Sequence, residues 1–90
     1  MNPKYQKLID TFKSSHVNLT VTTIIDYDNK YLVVEAVEDI NKKDYNDPLY
    51  AIEKKTGIVT HFSPAFDFDK FFEATENRLL YSINQSYEDE

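Results

Sequence analysis

Nucleophilic catalysis on a hydroxyl needs a base within hydrogen-bond reach, and the histidines of this chain are His16 and His61. His16 follows a run with helical spacing, where a basic side chain suits the carbonyl end of a helix. His61 alternates with Val59 on a strand-like segment, the setting of a half-exposed sheet histidine. Gly57 is the single glycine, so neither a nucleophile elbow nor a glycine-rich phosphate loop can be built. Asp26-x-Asp28-Asn29 opens like a calcium loop, but Tyr31 and Val37 stand where that loop needs glycine and glutamate. Asp67-x-Asp69 fails in the same way, with Phe72 and Arg78 at those positions. Glu35 and Glu38 have opposite strand parity and face apart, so they do not form a glycosidase pair. With no cysteine, thiolate chemistry, disulfides and cysteine-held metals are excluded. The reading is a chain without catalytic, cofactor-binding or metal residues, needing no cofactor, and not an enzyme.

The elements that must carry the remaining residues are legible from spacing. Asn2-Pro3 is a helix start, asparagine capping and proline preformed for the first turn. Tyr5, Leu8, Ile9 and Phe12 then follow at i, i+3, i+4, i+7, predicting a helix over residues 3–14. From Val17 to Tyr27 the pattern turns β-branched and alternating, slipping at Ile24-Ile25, which implies a bulge or a strand buried on both faces. Asp28-Asn29 suits a tight turn, and Tyr31 to Glu38 reads as the second strand. A polar loop over 39–47 precedes Leu49-Tyr50-Ala51-Ile52-Glu53, the third strand, with Pro48 at its start. Lys55-Thr56-Gly57 predicts a type I turn with a G1 bulge, glycine in the left-handed position, before a fourth strand over 58–62. Asp67 caps a second helix on which Phe68, Phe71, Phe72, Thr75 and Leu79 recur at helical spacing, and Asn77 ends it. Residues 80–83 read as helix tail or as a short extra strand.

The expected fold class is therefore α+β, in the order α-β-β-β-β-α. A single antiparallel sheet has two helices packed on one face, through Leu8, Ile9, Phe12, Phe68, Phe71 and Phe72. Ninety residues are one domain, taken as 1–84 with an acidic tail over 85–90 expected to fray.

The formal charge of −6 is unevenly spread. Residues 1–65 carry eight lysines and nine acids, a balance of −1; residues 66–90 carry two bases and seven acids, a balance of −5. Phosphate-backbone binding needs clustered Lys and Arg, so no direct nucleic-acid partner is expected. An acidic zone instead suits a protein partner with a basic surface, or simply solvation. Apolar runs such as Tyr31–Val34 are too short to span a bilayer, so no membrane partner is expected. MNPKYQKLIDTFK has no apolar stretch before a cleavage site, and the expected location is the cytoplasm.

Seven tyrosines and six phenylalanines remain. Exposed tyrosine beside acids is a composition of protein-binding surfaces. Tyr31 and Tyr50 have two readings, cross-strand packing or partner contact, while Tyr45 in the polar loop favours contact. Asp67, Asp69 and Glu73 would supply the charge complementary to a basic partner.

The segment DPLYAIEKKTGIVTHFS, after a helix and a hairpin, resembles small bacterial immunity proteins of the YrhB-like type. The likeness covers residues 5–63 and is most specific over Tyr50 to Val59. It implies a cytoplasmic protein that neutralises a partner by binding it, and it assigns no site residue. Three readings of function stand: an immunity- or inhibitor-type binding protein; a phage-type acidic inhibitor imitating DNA; and an accessory domain of bacterial or phage origin without intrinsic activity. The chain would be a monomer or a weak homodimer, since an open sheet edge can pair two copies.

Overall fold

The computed structural model describes residues 2–38 and 49–83, apart from the side chain of Phe66. Helix α1 (Pro3–Ser15) starts where Asn2 Oδ1 accepts the Lys4 N–H at 2.9 Å, with Pro3 in the first turn. It ends at His16, whose backbone N–H reaches the Phe12 carbonyl at 3.0 Å. The His16 ring Nδ1 lies 3.0 Å from the same oxygen, and a carbonyl only accepts, so Nδ1 carries the hydrogen.

Four further segments form strands β1 (Thr20–Asp26), β2 (Tyr31–Val37), β3 (Leu49–Glu53) and β4 (Val59–Phe62). A 3₁₀ turn (Pro64–Phe66) leads into α2 (Phe68–Asn77), and a fifth strand, β5 (Leu79–Ser82), follows it. The fold is α+β with one antiparallel sheet in the order β4-β3-β2-β1-β5. Residues 79–82 are thus strand rather than helix tail. Arg78 closes α2 through its N–H to the Ala74 carbonyl at 2.8 Å, while its own carbonyl accepts from Asp26 N–H at 2.9 Å. The chain steps directly from the helix onto the free edge of β1.

The two helices do not share a face. Leu32, Val34 and Ala36 of β2 join Ile9 and Phe12 of α1 in one core, together with Val21, Ile24 and Ile52. Val33, of opposite parity on the same strand, joins Ile25, Tyr27 and Ala74 of α2 in another. The expectation of both helices on one face is corrected here, and the cause is the apolar content of β1 and β2. Ile24-Ile25 and Leu32-Val33-Val34 put bulky apolar side chains on both sides of the sheet. A single helical layer would leave Ile25 and Val33 in water, at about 1.5–3 kcal/mol each.

The slip read at Ile24-Ile25 is present as an irregular register between β1 and β5. A second irregularity sits between Val21 and Thr23 on the β2 side, where Thr22 is buried. Its hydroxyl donates to the Glu35 carboxylate at 2.6 Å, which satisfies the group inside the sheet.

Gly57 has φ +79°, the left-handed conformation expected of it. The loop is wider than a type I turn: Gly57 N–H donates to the Glu53 carbonyl at 2.7 Å, and Glu53 N–H to the Ile58 carbonyl at 2.9 Å. A Cβ at Gly57 would meet Leu8 Cδ2 at 3.5 Å, an ordinary contact, so the obstacle to a side chain there is the backbone angle. Gly57→Ala is expected to cost about 1–2 kcal/mol in a urea melt, and Gly57→Asn less, because asparagine tolerates this conformation. Equal midpoints for Gly57→Ala and the parent protein would show that the turn does not need glycine.

Candidate functional site

Helix α2 presents the surface most in need of explanation. Its inward face is Ala74, fully buried, with half-buried Phe71 beside it. Alanine permits close approach to the sheet, and this turns Phe68 and Phe72 outward, 52% and 57% exposed. Both were expected in the core, and both stand in water. The five-residue run Phe68 to Phe72 has a helical spacing compatible with either stripe, and Ala74 decides which one docks.

The exposed pair is ordered by its neighbours. The Phe68 and Phe72 rings stack with centroids 6.0 Å apart, and Phe72 meets Phe71 edge-on at 6.0 Å. Phe71 in turn meets Phe62 of β4 at 5.9 Å, and Phe62 meets Tyr27 at 5.0 Å. The aromatic run therefore passes from the buried second core out to solvent. Asp69, Glu73 and Glu76 are exposed and repeat at i, i+4, i+7, forming an acidic stripe beside the phenylalanines. On the same face of the sheet, α2 leaves the β3–β4 side open. There Tyr27, Tyr31, Ala51, Thr60 and Phe62 line a shallow hollow of about 260 Å³.

A polar clasp fixes α2 over the β1–β2 hairpin. Lys70 Nζ donates to Asp28 Oδ2 at 2.9 Å and lies 4.8 Å from the centre of the Tyr27 ring. Asp28 Oδ1 also accepts Lys30 N–H and Tyr31 N–H, each at 2.8 Å, closing the turn. Burial alone pushes the Asp28 carboxyl up. The Lys70 ammonium and the two backbone N–H groups outweigh it and hold the group below the usual carboxylate range. Tyr27 is pushed up, first by burial, with Lys70 opposing and Asp67 and Asp28 reinforcing.

The predicted contact residues divide. Asp67 caps α2, its Oδ1 accepting Lys70 N–H at 3.1 Å, and Asp69 follows in the first turn. Glu73 is exposed on the same helix one turn beyond Asp69, so these two share a side of α2 while Asp67 is engaged as its cap. Tyr50 lies elsewhere, half-buried on the α1 face between Phe12, His16 and His61, with centroid distances of 5.3, 5.7 and 5.4 Å. Packing is its visible role. Tyr31 is half-buried against the second core and borders the hollow. Tyr45 lies outside the described residues. Among the described residues, neither histidine is hydrogen-bonded to a carboxylate or hydroxyl, and no group of three or more His, Asp or Glu is placed to hold a metal ion. No described helix is long and apolar enough to cross a membrane.

No protein-family model matches this chain, and neither a curated protein nor a solved structure gives a significant match.

The two phenylalanine environments separate in a melting experiment. Phe12, 1% exposed, should cost about 3–5 kcal/mol as alanine. Phe68→Ala and Phe72→Ala should each stay within about 1 kcal/mol of the parent protein, Phe68 losing one partly exposed aromatic contact and Phe72 two. Comparable losses at Phe72 and Phe12 would return Phe72 to the core.

Proposed function

We propose that this chain is a small, acidic, non-catalytic protein-binding module whose docking face is the outer side of α2. The observation that supports this most strongly is a pair of stacked, more than half-exposed phenylalanines beside a carboxylate stripe. Leaving two aromatic rings more than half exposed forgoes about half of the 1.5–3 kcal/mol that full burial of each side chain is worth. A partner that covers them recovers that energy, and the rings are already ordered on a helix, so little conformational freedom is lost on binding. Asp69, Glu73 and Glu76 complement a partner with a basic rim around an apolar centre. They speed encounter and fix orientation more than they add affinity.

Within that class, the likeness of Tyr50–Val59 to YrhB-like proteins favours the immunity or inhibitor type, in which binding itself neutralises the partner. The aromatic ridge weighs against imitation of DNA, because a phosphate mimic relies on carboxylates and has no use for exposed phenylalanine.

Affinity capture from the source organism with parent and Phe68→Ala/Phe72→Ala baits, followed by titration of the recovered protein, tests the proposal. Each phenylalanine should be worth at least about 1–2 kcal/mol of affinity, and Asp69→Lys/Glu73→Lys should slow association in a salt-dependent way. Unchanged affinity in the phenylalanine double variant would contradict it. Binding abolished by charge reversal alone would replace it with DNA imitation.

A further inference from the structure

At the hairpin end of the sheet, three chain segments surround an open cleft of about 650 Å³. The start of α1 contributes Asn2, Lys4 and Tyr5; the β1–β2 turn contributes Asn29, Lys30 and Tyr31; the β3–β4 turn contributes Glu53, Lys54 and Lys55. Four lysines thus meet around one space, in a chain with ten basic side chains against sixteen acidic ones. The segments are far apart in sequence, so the grouping is produced by the fold.

The lysines fall into two kinds. Lys54 is a fixed cation: its side chain is 12% exposed, and Nζ donates to Asp26 Oδ1 at 2.5 Å and to the Asp28 carbonyl at 2.6 Å. It also lies 4.8 Å from the centre of the Tyr5 ring. Burial acts to lower its pKa, but the hydrogen bond to Asp26 and the contact with Tyr5 more than offset this, and the ammonium stays charged. Lys4, Lys30 and Lys55 have no carboxylate within salt-bridge distance among the described residues. The one carboxylate of the lining, Glu53, accepts a hydrogen bond from the Thr56 hydroxyl at 2.8 Å. The cleft therefore holds more cationic charge than its own walls neutralise.

We infer that this cleft binds a small molecule carrying two or more phosphoryl groups. Its volume lies in the range of small-ligand clefts, about 300–1,000 Å³. A phosphoryl group brings about 1.5–2 negative charges into a small volume, against one for a carboxylate, and lysine binds phosphate as a mobile point charge. Lys4, Lys30 and Lys55, on three different segments, can close on adjacent phosphoryl groups, while Lys54, committed to Asp26 and the Asp28 carbonyl, ties the β3–β4 turn to the end of β1. Asn2 and Asn29 add neutral polar groups at the margin. The site uses none of the α2 residues and stands independently of the protein-binding reading.

Titration of the full chain with inorganic pyrophosphate and, separately, with adenosine diphosphate, followed by amide chemical shifts and calorimetry, tests the inference. Saturable shifts at Lys4, Lys30, Lys54 and Lys55 with either ligand are expected; the second arm shows whether an esterified phosphate is accepted as well as the bare anion. Lys30→Glu/Lys55→Glu alters two exposed side chains and should keep the parent melting temperature while weakening binding about tenfold or more. Glu53→Gln keeps an acceptor for Thr56 and removes the one negative charge, so it should tighten binding several-fold, a gain that misfolding cannot produce. The inference is overturned if neither ligand gives saturable shifts, if the lysine double variant binds like the parent, or if an acidic peptide displaces pyrophosphate at equal concentration.

Discussion

Everything in this fold depends on the central strand pair being apolar on both sides. Leu32, Val33, Val34 and Ala36 of β2 are wholly buried, and Ile24 and Ile25 of β1 are almost so. Consecutive positions on a strand point to opposite faces, so these residues require cover above and below. Helix α1 covers one face with Ile9 and Phe12, and α2 covers the other with Phe71 and Ala74. The chain reaches the second face by running around the sheet edge at Ser63–Asp67. It returns along β1 as β5, which also occupies what would otherwise be an open edge of a central strand.

The same constraint decides what faces water. A helix of ten residues docking through an alanine cannot bury three phenylalanines. One lies half inside, and two remain outside beside the acids of the helix. Lys70 spans from α2 to the turn aspartate, fixing the helix over Tyr27 and so fixing the direction in which Phe68 and Phe72 project. Lys4, Lys30, Lys54 and Lys55 collect at the hairpin tips, where the strand ends and the start of α1 converge. The acidic stripe of α2 and this lysine group thus lie on different elements.

Much of this was legible in the sequence. The Asn2-Pro3 start, the stripe Tyr5–Leu8–Ile9–Phe12, the turn at Asp28, the left-handed Gly57 and the Asp67 cap are local signals, and local chemistry determines them. The placement of α2 was not legible, because Phe68, Phe71 and Phe72 satisfy helical spacing whichever stripe faces inward. What selects the stripe is the fit of Ala74 against the sheet, a tertiary property. The doubled isoleucine at 24–25 carried the relevant hint, since a strand covered on one side has no use for adjacent large apolar residues. For the candidate contact surface, Asp69 and Glu73 share the exposed side of α2 while Asp67 caps it, whereas Tyr50 is packed among Phe12, His16 and His61 and Phe68 and Phe72 are the most exposed aromatics among the described residues. The lysine cleft was invisible, because Lys4, Lys30 and Lys54-Lys55 are joined only by the folded chain.

The two-sided cover is tested most directly by methyl nuclear Overhauser spectroscopy. The Ala74 methyl should show cross-peaks to methyls of Ile25 or Val33, and the Phe12 ring protons to methyls of Leu32 or Val34. Cross-peaks from Ala74 to Leu32 or Val34 would place both helices on one face and contradict the account.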